Sequence, residues 1–264
     1  MKGYGLLIKK LQNIINKLYA PVFIIGLIII WQIVCSIELV PAYMLPSPIQ
    51  VITAFIAELD TLIGHLAISL SEAFLGLGIG IFVAFILAIG MDHYKVLYKL
   101  LYPLLIISQT VPVIAIAPLL VLWMGYGMAP KVTVIFLVCF FPITISLLDG
   151  FRDADRDTIR LMRSMGANAR QIFWHIKLPC ALPGFLAGLK VSVSYAVIGA
   201  VVAEWLGGTA GLGVYMTRVR KSYAFDKMFA VIFLVSLVSL ILMKGVSLLE
   251  KKIMPYKDIQ DKNE

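Results

Sequence analysis

The chain has 264 residues, of which 61% are hydrophobic and 14% charged, with a formal net charge of +8. Soluble globular domains are about 45–50% apolar and about 25% charged, so this chain lacks the charge to cover a water-facing surface. A mean hydropathy of +0.94 likewise excludes a disordered chain. The length accommodates about six spanning helices of ~20 residues with their loops, but no separate soluble catalytic domain.

Residues 1–17 carry Lys2, Lys9, Lys10 and Lys17 and no acid, and are expected to form an N-terminal tail. Leu18 to Ile37 is uncharged. It is longer than the apolar region of a signal peptide, and no small-residue cleavage site follows, so it is expected to stay as a first span. Leu45-Pro46-Ser47-Pro48 precedes an amphipathic stretch (Ile49, Ile52, Phe55, Ile56, Leu59), with Ser47 suited to an N-cap and Pro48 to a first helical turn. Leu66 to Met91 is the second span, with Glu72 its only charge. A third is expected near 100–124, in an uncharged run broken by Pro103, Pro112 and Pro118. Val132 to Leu148 is the fourth, Val191 to Ala203 the core of a fifth ended by Glu204, and Met228 to Leu249 the sixth.

With the N-terminus inside, the inner segments hold 18 of the 23 Lys and Arg residues, which places both termini in the cytoplasm by the positive-inside rule. Residues 1–17 and 250–264 are then cytoplasmic tails. The remaining five, Lys131, Arg218, Arg220, Lys221 and Lys227, fall outside. The longest cytoplasmic connection is 149–190. Within it Arg156, Arg160 and Arg163 share one helical stripe and Ile159 and Met162 another, with Asp153–Arg156 and Asp157–Arg160 as i,i+3 pairs. Gly166 is a natural helix terminator, and a second helical stretch, Asn168 to Leu178, is expected to stop at Pro179. On composition alone, such a basic amphipathic segment also fits one lying on anionic lipid.

His65, His93 and His175 are isolated, and Cys35, Cys139 and Cys180 fit small buried apolar residues. No phosphate-binding GxxxxGK[ST], HExxH or GxSxG motif occurs. The expectation is a chain without catalytic residues, metal ligands or its own means of hydrolysing ATP.

From Gly166 the chain reads Gly, nine residues, then Ile176-Lys177-Leu178-Pro179. This resembles the G-x9-I-x-L-P half of the E-A-A-x3-G-x9-I-x-L-P motif of ABC importer membrane subunits. Arg160, Leu161 and Met162 stand in the Glu-Ala-Ala places, so any contact made by that Glu has no counterpart here. The Leu45–Pro48 segment is similar to permeases of the nitrate, sulfonate and taurine type. So are Gln109-Thr110-Val111-Pro112 through Leu122-Trp123-Met124-Gly125-Tyr126-Gly127, and Gly211-Leu212-Gly213 after Glu204. Ala203 to Gly208 and Phe225 to Ala230 most resemble permeases for pyrimidine precursors of thiamine.

The resemblance implies a single transmembrane domain over 1–264, an all-α polytopic membrane protein with the ABC type I importer permease fold. It also implies a permease homodimer in the cell membrane, two ATPase subunits holding ATP and Mg, and an extracytoplasmic solute-binding protein. No cofactor is implied in this chain, and no nucleic-acid partner. The ATPase-coupling residues it implies are Arg160, Leu161, Met162, Gly166, Ala167, Ile176, Leu178 and Pro179. The solute would be a pyrimidine thiamine precursor, or else an aliphatic sulfonate, taurine or nitrate.

Charged groups inside a bilayer tend to face a cavity or a partner, so Glu72 is a candidate for the solute path; a structural carboxylate between helices is the other reading. Glu204 divides between a structural or gating role and solute contact. Gln109, with Ser108 and Thr110, either satisfies carbonyls freed by Pro112 or lines the path. Arg218, Arg220 and Lys221 fit docking to acidic residues of a binding protein, or contact with lipid headgroups. Gly76-x3-Gly80 and Gly184-x3-Gly188 permit close helix packing. An intramembrane enzyme would need a nucleophile–base pair that is not visible. An ion-coupled carrier acting without an ATPase would show inverted repeats and more intramembrane ionisable residues.

Overall fold

The computed structural model describes residues 2–41 and 44–254, and among them there are helices and turns but no strand. The helices are α1 (Lys2–Ser36), α2 (Pro48–Ala57), α3 (Leu59–His93), α4 (Lys95–Gln109), α5 (Val113–Met124) and α6 (Met128–Arg152). They continue with α7 (Arg156–Ser164), α8 (Ala169–Ile172), a π-helical turn (Phe173–Lys177), α9 (Leu178–Glu204), α10 (Leu212–Lys221) and α11 (Phe225–Ile253).

By length and apolar character α3, α6, α8 to α9 and α11 each suffice to cross a membrane, and α4 with α5 makes a fifth only if counted as one broken span. Among the described residues this makes four or five spans, and the count of six stays an expectation of the sequence. Helix α1 runs for 35 residues and includes the apolar run Pro21–Ser36. The third expected span, 100–124, is not one rod: α4 and α5 meet at 101° across residues 110–112. Pro112 has no N–H to give and cannot continue a helix, and it stands as the N-cap of α5.

Pro179 does not stop the helix, contrary to the sequence expectation. The π turn ends at Lys177, two residues before it, and Pro179 takes one of the first positions of α9. Within the connection expected over 149–190, α6 runs to Arg152 and α9 starts at Leu178, with α7, α8 and the π turn between them.

The chain forms two compact units. One comprises residues to Leu59 with Arg218–Ile232, the other Asp60–Thr217 with the rest from Phe233. In the first, Trp31 and Phe229 lie with ring centroids 6.0 Å apart, and Lys227 forms an ion pair with Glu58. The start of α2 carries the expected cap: Ser47 Oγ accepts the Gln50 N–H at 3.3 Å and Gln50 Oε1 accepts the Ser47 N–H at 2.8 Å. Its buried residues are Pro48, Val51 and Ala54, whereas Ile49, Ile52 and Ile56 are exposed. The bulky stripe of this helix thus points away from the chain, as suits a helix bathed in lipid or covered by another subunit.

In the second unit, α6 and α9 are the central pair, with α3 packed on α6. Small residues allow the approach. A Cβ on Gly188 would lie 2.7 Å from Ser146 Oγ, one on Gly184 2.8 Å from the Ser146 carbonyl oxygen, and one on Gly76 2.6 Å from Ile135. Both small-x3-small stripes therefore face α6. Reciprocal bonds add to the α6–α9 seam: Ser192 Oγ donates to the Cys139 carbonyl at 3.1 Å, and Cys139 Sγ to the Ser192 carbonyl at 3.3 Å.

Candidate solute cavity and coupling surface

One stripe of α3 organises the end of the bundle where α9 stops. His65, Ser69 and Glu72 follow at i, i+4 and i+7 and so share a face. The first N–H groups of any helix have no intrahelical partner, and the start of α10 is satisfied by this stripe and by Glu204. His65 Nδ1 accepts the Gly211 N–H at 3.0 Å, and Ser69 Oγ accepts the Leu212 N–H at 2.9 Å. Glu204 Oε2 accepts the Gly213 N–H at 2.5 Å, while the Ser69 hydroxyl donates to Glu204 Oε1 at 2.6 Å. A neutral His65 must then carry its proton on Nε2.

Glu204 is 1% exposed; its carboxylate lies against the positive end of the α10 dipole. The Gly-Leu-Gly sequence is what admits it. Gly211 has φ +118, and a Cβ there would fall on the Glu204 carboxylate; a Cβ on Gly213 would fall on the Val201 carbonyl. Glu204 thus stands in a structural position, capping α10 from the end of α9.

Glu72 lies one turn further along the stripe. It is 3% exposed and accepts from Lys131 Nζ through Oε1. Lys131, one of the five basic residues expected outside, lies one turn into α6 and is buried. Glu72 Oε2 is buried with no hydrogen-bond partner among the described residues. The pair borders a cavity of about 440 Å³ whose wall also includes Ser71, Tyr126, Gly127, Gly207 and Thr209. A Cβ on Gly207 would come within 2.9 Å of the Tyr126 ring, so the ring lies against backbone on one side. Tyr126 is nevertheless 82% exposed.

Gln109 is not among the residues bordering this cavity. Its Nε2 donates to the Leu105 carbonyl at 3.4 Å, as does Ser108 Oγ at 2.9 Å, and Thr110 Oγ1 donates to the Ile107 carbonyl at 2.7 Å. These side chains occupy carbonyls at the break before Pro112, which lacks the N–H to do so.

The opposite end of α6 leads to α7. Asp155 is its N-cap, accepting the N–H groups of Asp157 at 3.1 Å and Thr158 at 3.0 Å and the Thr158 hydroxyl at 2.5 Å. The Thr158 hydroxyl, then the two N–H groups, hold the Asp155 carboxyl below its ordinary value. Asp157 and Arg160 pair at 3.0 Å, whereas the expected Asp153–Arg156 pair is not made. Gly166, at φ +84, ends the helix, and the Ala167 N–H bonds back to the Met162 carbonyl at 2.9 Å.

None of the residues of α7 is buried, and Leu161 and Met165 are 61% and 77% exposed. Met162, Met165, Gly166, Ala167, Gln171 and His175 border a groove of about 390 Å³. Beyond it Ile176 is buried, Leu178 is half-buried and Pro179 is exposed. The segment is anchored by Lys177, which bonds Asp92 at 2.7 Å, and by Arg152, whose guanidinium lies 3.8 Å from the Tyr98 ring centroid. Arg218, Arg220 and Lys221 are exposed in the last turn of α10.

The sequence singled out Glu72, Glu204 and the Gly166–Pro179 segment. It missed His65, Ser69, Lys131 and Tyr126. The i, i+4, i+7 spacing of His65, Ser69 and Glu72 in an apolar helix was the available signal.

The profile of the family described as binding-protein-dependent transport system inner membrane component matches residues 76–255. The formylaminopyrimidine transport permease protein ThiX of Halalkalibacterium halodurans is 38% identical over 246 residues, 93% of this chain and 98% of that protein. The putative aliphatic sulfonates transport permease protein SsuC of Bacillus subtilis is 33% identical over 237 residues, 88% of this chain and 85% of its own. Among solved structures, an amino acid ABC transporter crystallised with histidines shares the fold, with a TM-score of 0.61 at 15% identity over 76% of this chain and 97% of that one. A secondary carrier finds no support in these relatives. The protein is a multi-pass component of the inner membrane, a transport subunit rather than an enzyme, and works with a solute-binding protein and a separate ATPase. The chain belongs to the binding-protein-dependent transport system inner membrane components, as the permease subunit of an ABC importer.

Proposed function

We propose that this permease imports a pyrimidine precursor of thiamine, as one half of a homodimer with both termini in the cytoplasm. The similarity to a formylaminopyrimidine permease over nearly the full length of both chains supports the solute; the sulfonate permease, at 33% identity, is the second reading. The observation that carries the mechanism is α7, a capped helix with no buried residue and with Leu161 and Met165 facing out beside arginines. Exposed apolar side chains on a charged helix mark a surface made for a partner.

In this reading α7 and the groove beside it, with Arg160, Leu161, Met162, Gly166 and Ala167, sit in a cleft of the ATPase, which holds ATP and Mg. Ile176, Leu178 and Pro179 join that contact to α9. Closure of the ATPase dimer on ATP moves the two coupling helices, and the permease halves rock to open towards the binding protein. ATP biases the equilibrium because it has different affinity for the two states of the ATPase. Arg218, Arg220 and Lys221 receive acidic residues of the binding protein. Glu72 lies on the path, while Glu204 and Gln109 shape it through α10 and the α4–α5 break.

The test is uptake of labelled formylaminopyrimidine by proteoliposomes holding permease, ATPase and loaded binding protein. ATP-dependent uptake that excess taurine or alkanesulfonate does not inhibit is expected; ATP-dependent uptake of a sulfonate alone would transfer the assignment to the second reading. Deleting residues 160–170 should abolish ATPase association without preventing membrane insertion. Reversing the charges at 218, 220 and 221 should weaken stimulation of ATP hydrolysis by the binding protein most at low ionic strength, where screening is least.

A further inference from the structure

The geometry points to the cavity between α3, α6 and the loop after α9 as a recognition site for a flat heteroaromatic ring that carries an N–H donor beside a ring-nitrogen acceptor. The proposal rests on the importer function proposed above and specifies which residues of this chain meet the solute.

Glu72 Oε2 is a carboxylate oxygen without a partner on a residue 3% exposed, beside an open cavity. Buried polar atoms in native proteins are nearly always hydrogen-bonded, and an orphan signals a missing partner. A carboxylate only accepts, so the missing group is a donor. Lys131 Nζ gives one N–H to Glu72 Oε1 and has two more to offer. At the border of the cavity Glu72 and Lys131 thus set an acceptor and a donor side by side. An aminopyrimidine edge presents the complement, an exocyclic N–H next to a ring nitrogen. Tyr126 supplies the third element. Its ring rests on Gly207, where a side chain would collide, and is otherwise exposed at the cavity. A heteroaromatic ring stacks on such a face.

The same features select against an anion. Lys131 and Glu72 neutralise each other, so the cavity offers no net positive charge to hold a sulfonate. The volume, about 440 Å³, lies within the ~300–1,000 Å³ of small-molecule sites. The position also suits delivery. Lys131 is near the start of α6 and α7 follows its end, so the cavity lies at the end of α6 away from the coupling helix, about 37 Å along a helix of 25 residues.

The experiment uses the complete importer, with permease, ATPase and binding protein, in proteoliposomes, and reads formylaminopyrimidine taken up per ATP hydrolysed. Tyr126→Ala and Glu72→Gln should each lower that ratio at least tenfold, while Tyr126→Phe keeps it. Co-purification of each variant with the ATPase is the control for folding and assembly. Wild-type coupling in both Tyr126→Ala and Glu72→Gln overturns the site while leaving the importer function standing. Absence of aminopyrimidine uptake by the wild type, with uptake of a sulfonate, overturns the proposed solute and this site together. Should Glu72→Gln fail to assemble, Tyr126→Ala alone decides.

Discussion

Removing the Glu204 side chain tests whether α10 is held by a carboxylate cap. In Glu204→Ala two donors lose their acceptor, the Gly213 N–H and the Ser69 hydroxyl. They do not suffer equally. The Ser69 hydroxyl rotates freely and can turn to the carbonyl four residues back in α3, as serines in apolar helices do. The Gly213 N–H is fixed by the backbone of α10, and its loss costs ~1–3 kcal/mol, the range for a buried donor left unsatisfied. A void of about 50 Å³ at ~24 cal/mol per Å³ adds ~1 kcal/mol. The expected destabilisation is therefore about 2–4 kcal/mol.

Glu204→Gln separates hydrogen bonding from charge. Its carbonyl oxygen can accept the Gly213 N–H and its amide can donate to Ser69 Oγ, so it should stay within ~1 kcal/mol of the wild type. Equilibrium unfolding of the purified permease in mixed micelles, followed by ellipticity, measures both, and hydrogen exchange should show loss of protection at the start of α10 in the alanine variant. Wild-type stability of Glu204→Ala would refute the cap. A glutamine variant as unstable as the alanine one would instead assign the stabilisation to the charge against the α10 dipole.

Two further outcomes follow from the coupling end and from the α6–α9 seam. Asp155 has its carboxyl held low by the Thr158 hydroxyl and two N–H groups. Its cap is thus fully formed above the unfolded value of about 3.9 and lost as pH falls through the lower folded value. Amides of α7 should exchange at a constant intrinsic-corrected rate from pH 7 down to about 4 and lose protection only below that, and Asp155→Ala should remove that protection at every pH; an unprotected α7 in the wild type at pH 7 would contradict this. Gly188→Ala places a Cβ against the Ser146 side chain and Gly184→Ala places one against the Ser146 backbone carbonyl. Each should destabilise by ~1–3 kcal/mol, but Ser146→Gly should relieve only the first; equal relief of both in unfolding measurements would mean the two glycines do not meet α6 as described.

The apolar runs made the spanning helices legible, and local chemistry made the ends of α2 and α7 legible. Ser47-Pro48-Ile49-Gln50 is a capping box readable from four letters, and Gly166 is a terminator readable from one. What stayed hidden depends on distant partners or on compensation between neighbours. Pro179 reads as a stop, yet the π turn before it shifts the hydrogen-bond register and the helix passes through. Pro112 marks a break, but the 101° bend is not written in the proline. Lys131 reads as one more external basic residue. Its partner lies 59 positions away, and no local pattern joins them.

The stripe on α3 shows why soluble-protein intuition misplaces such a site. The buried line of this helix runs Ser69, Glu72, Gly76 and Gly80, with His65 half-buried at its head, while the exposed line runs Leu75, Ile79, Phe82 and Ile86. In water the large apolar side chains would turn inward. In a bilayer they lose nothing by facing lipid, and burial rewards small residues that let backbones approach and polar ones that need partners. Along one face, α3 therefore changes task with depth. Gly76 and Gly80 seat it on Ile135 and Cys139 of α6, Glu72 meets Lys131 at the cavity, and Ser69 and His65 hold the start of α10. A sideways shift of α3 against α6 would move cavity and cap together, because a rigid helix carries all five positions. Such a shift is the kind of motion by which a change at the coupling end could reach the solute at the other.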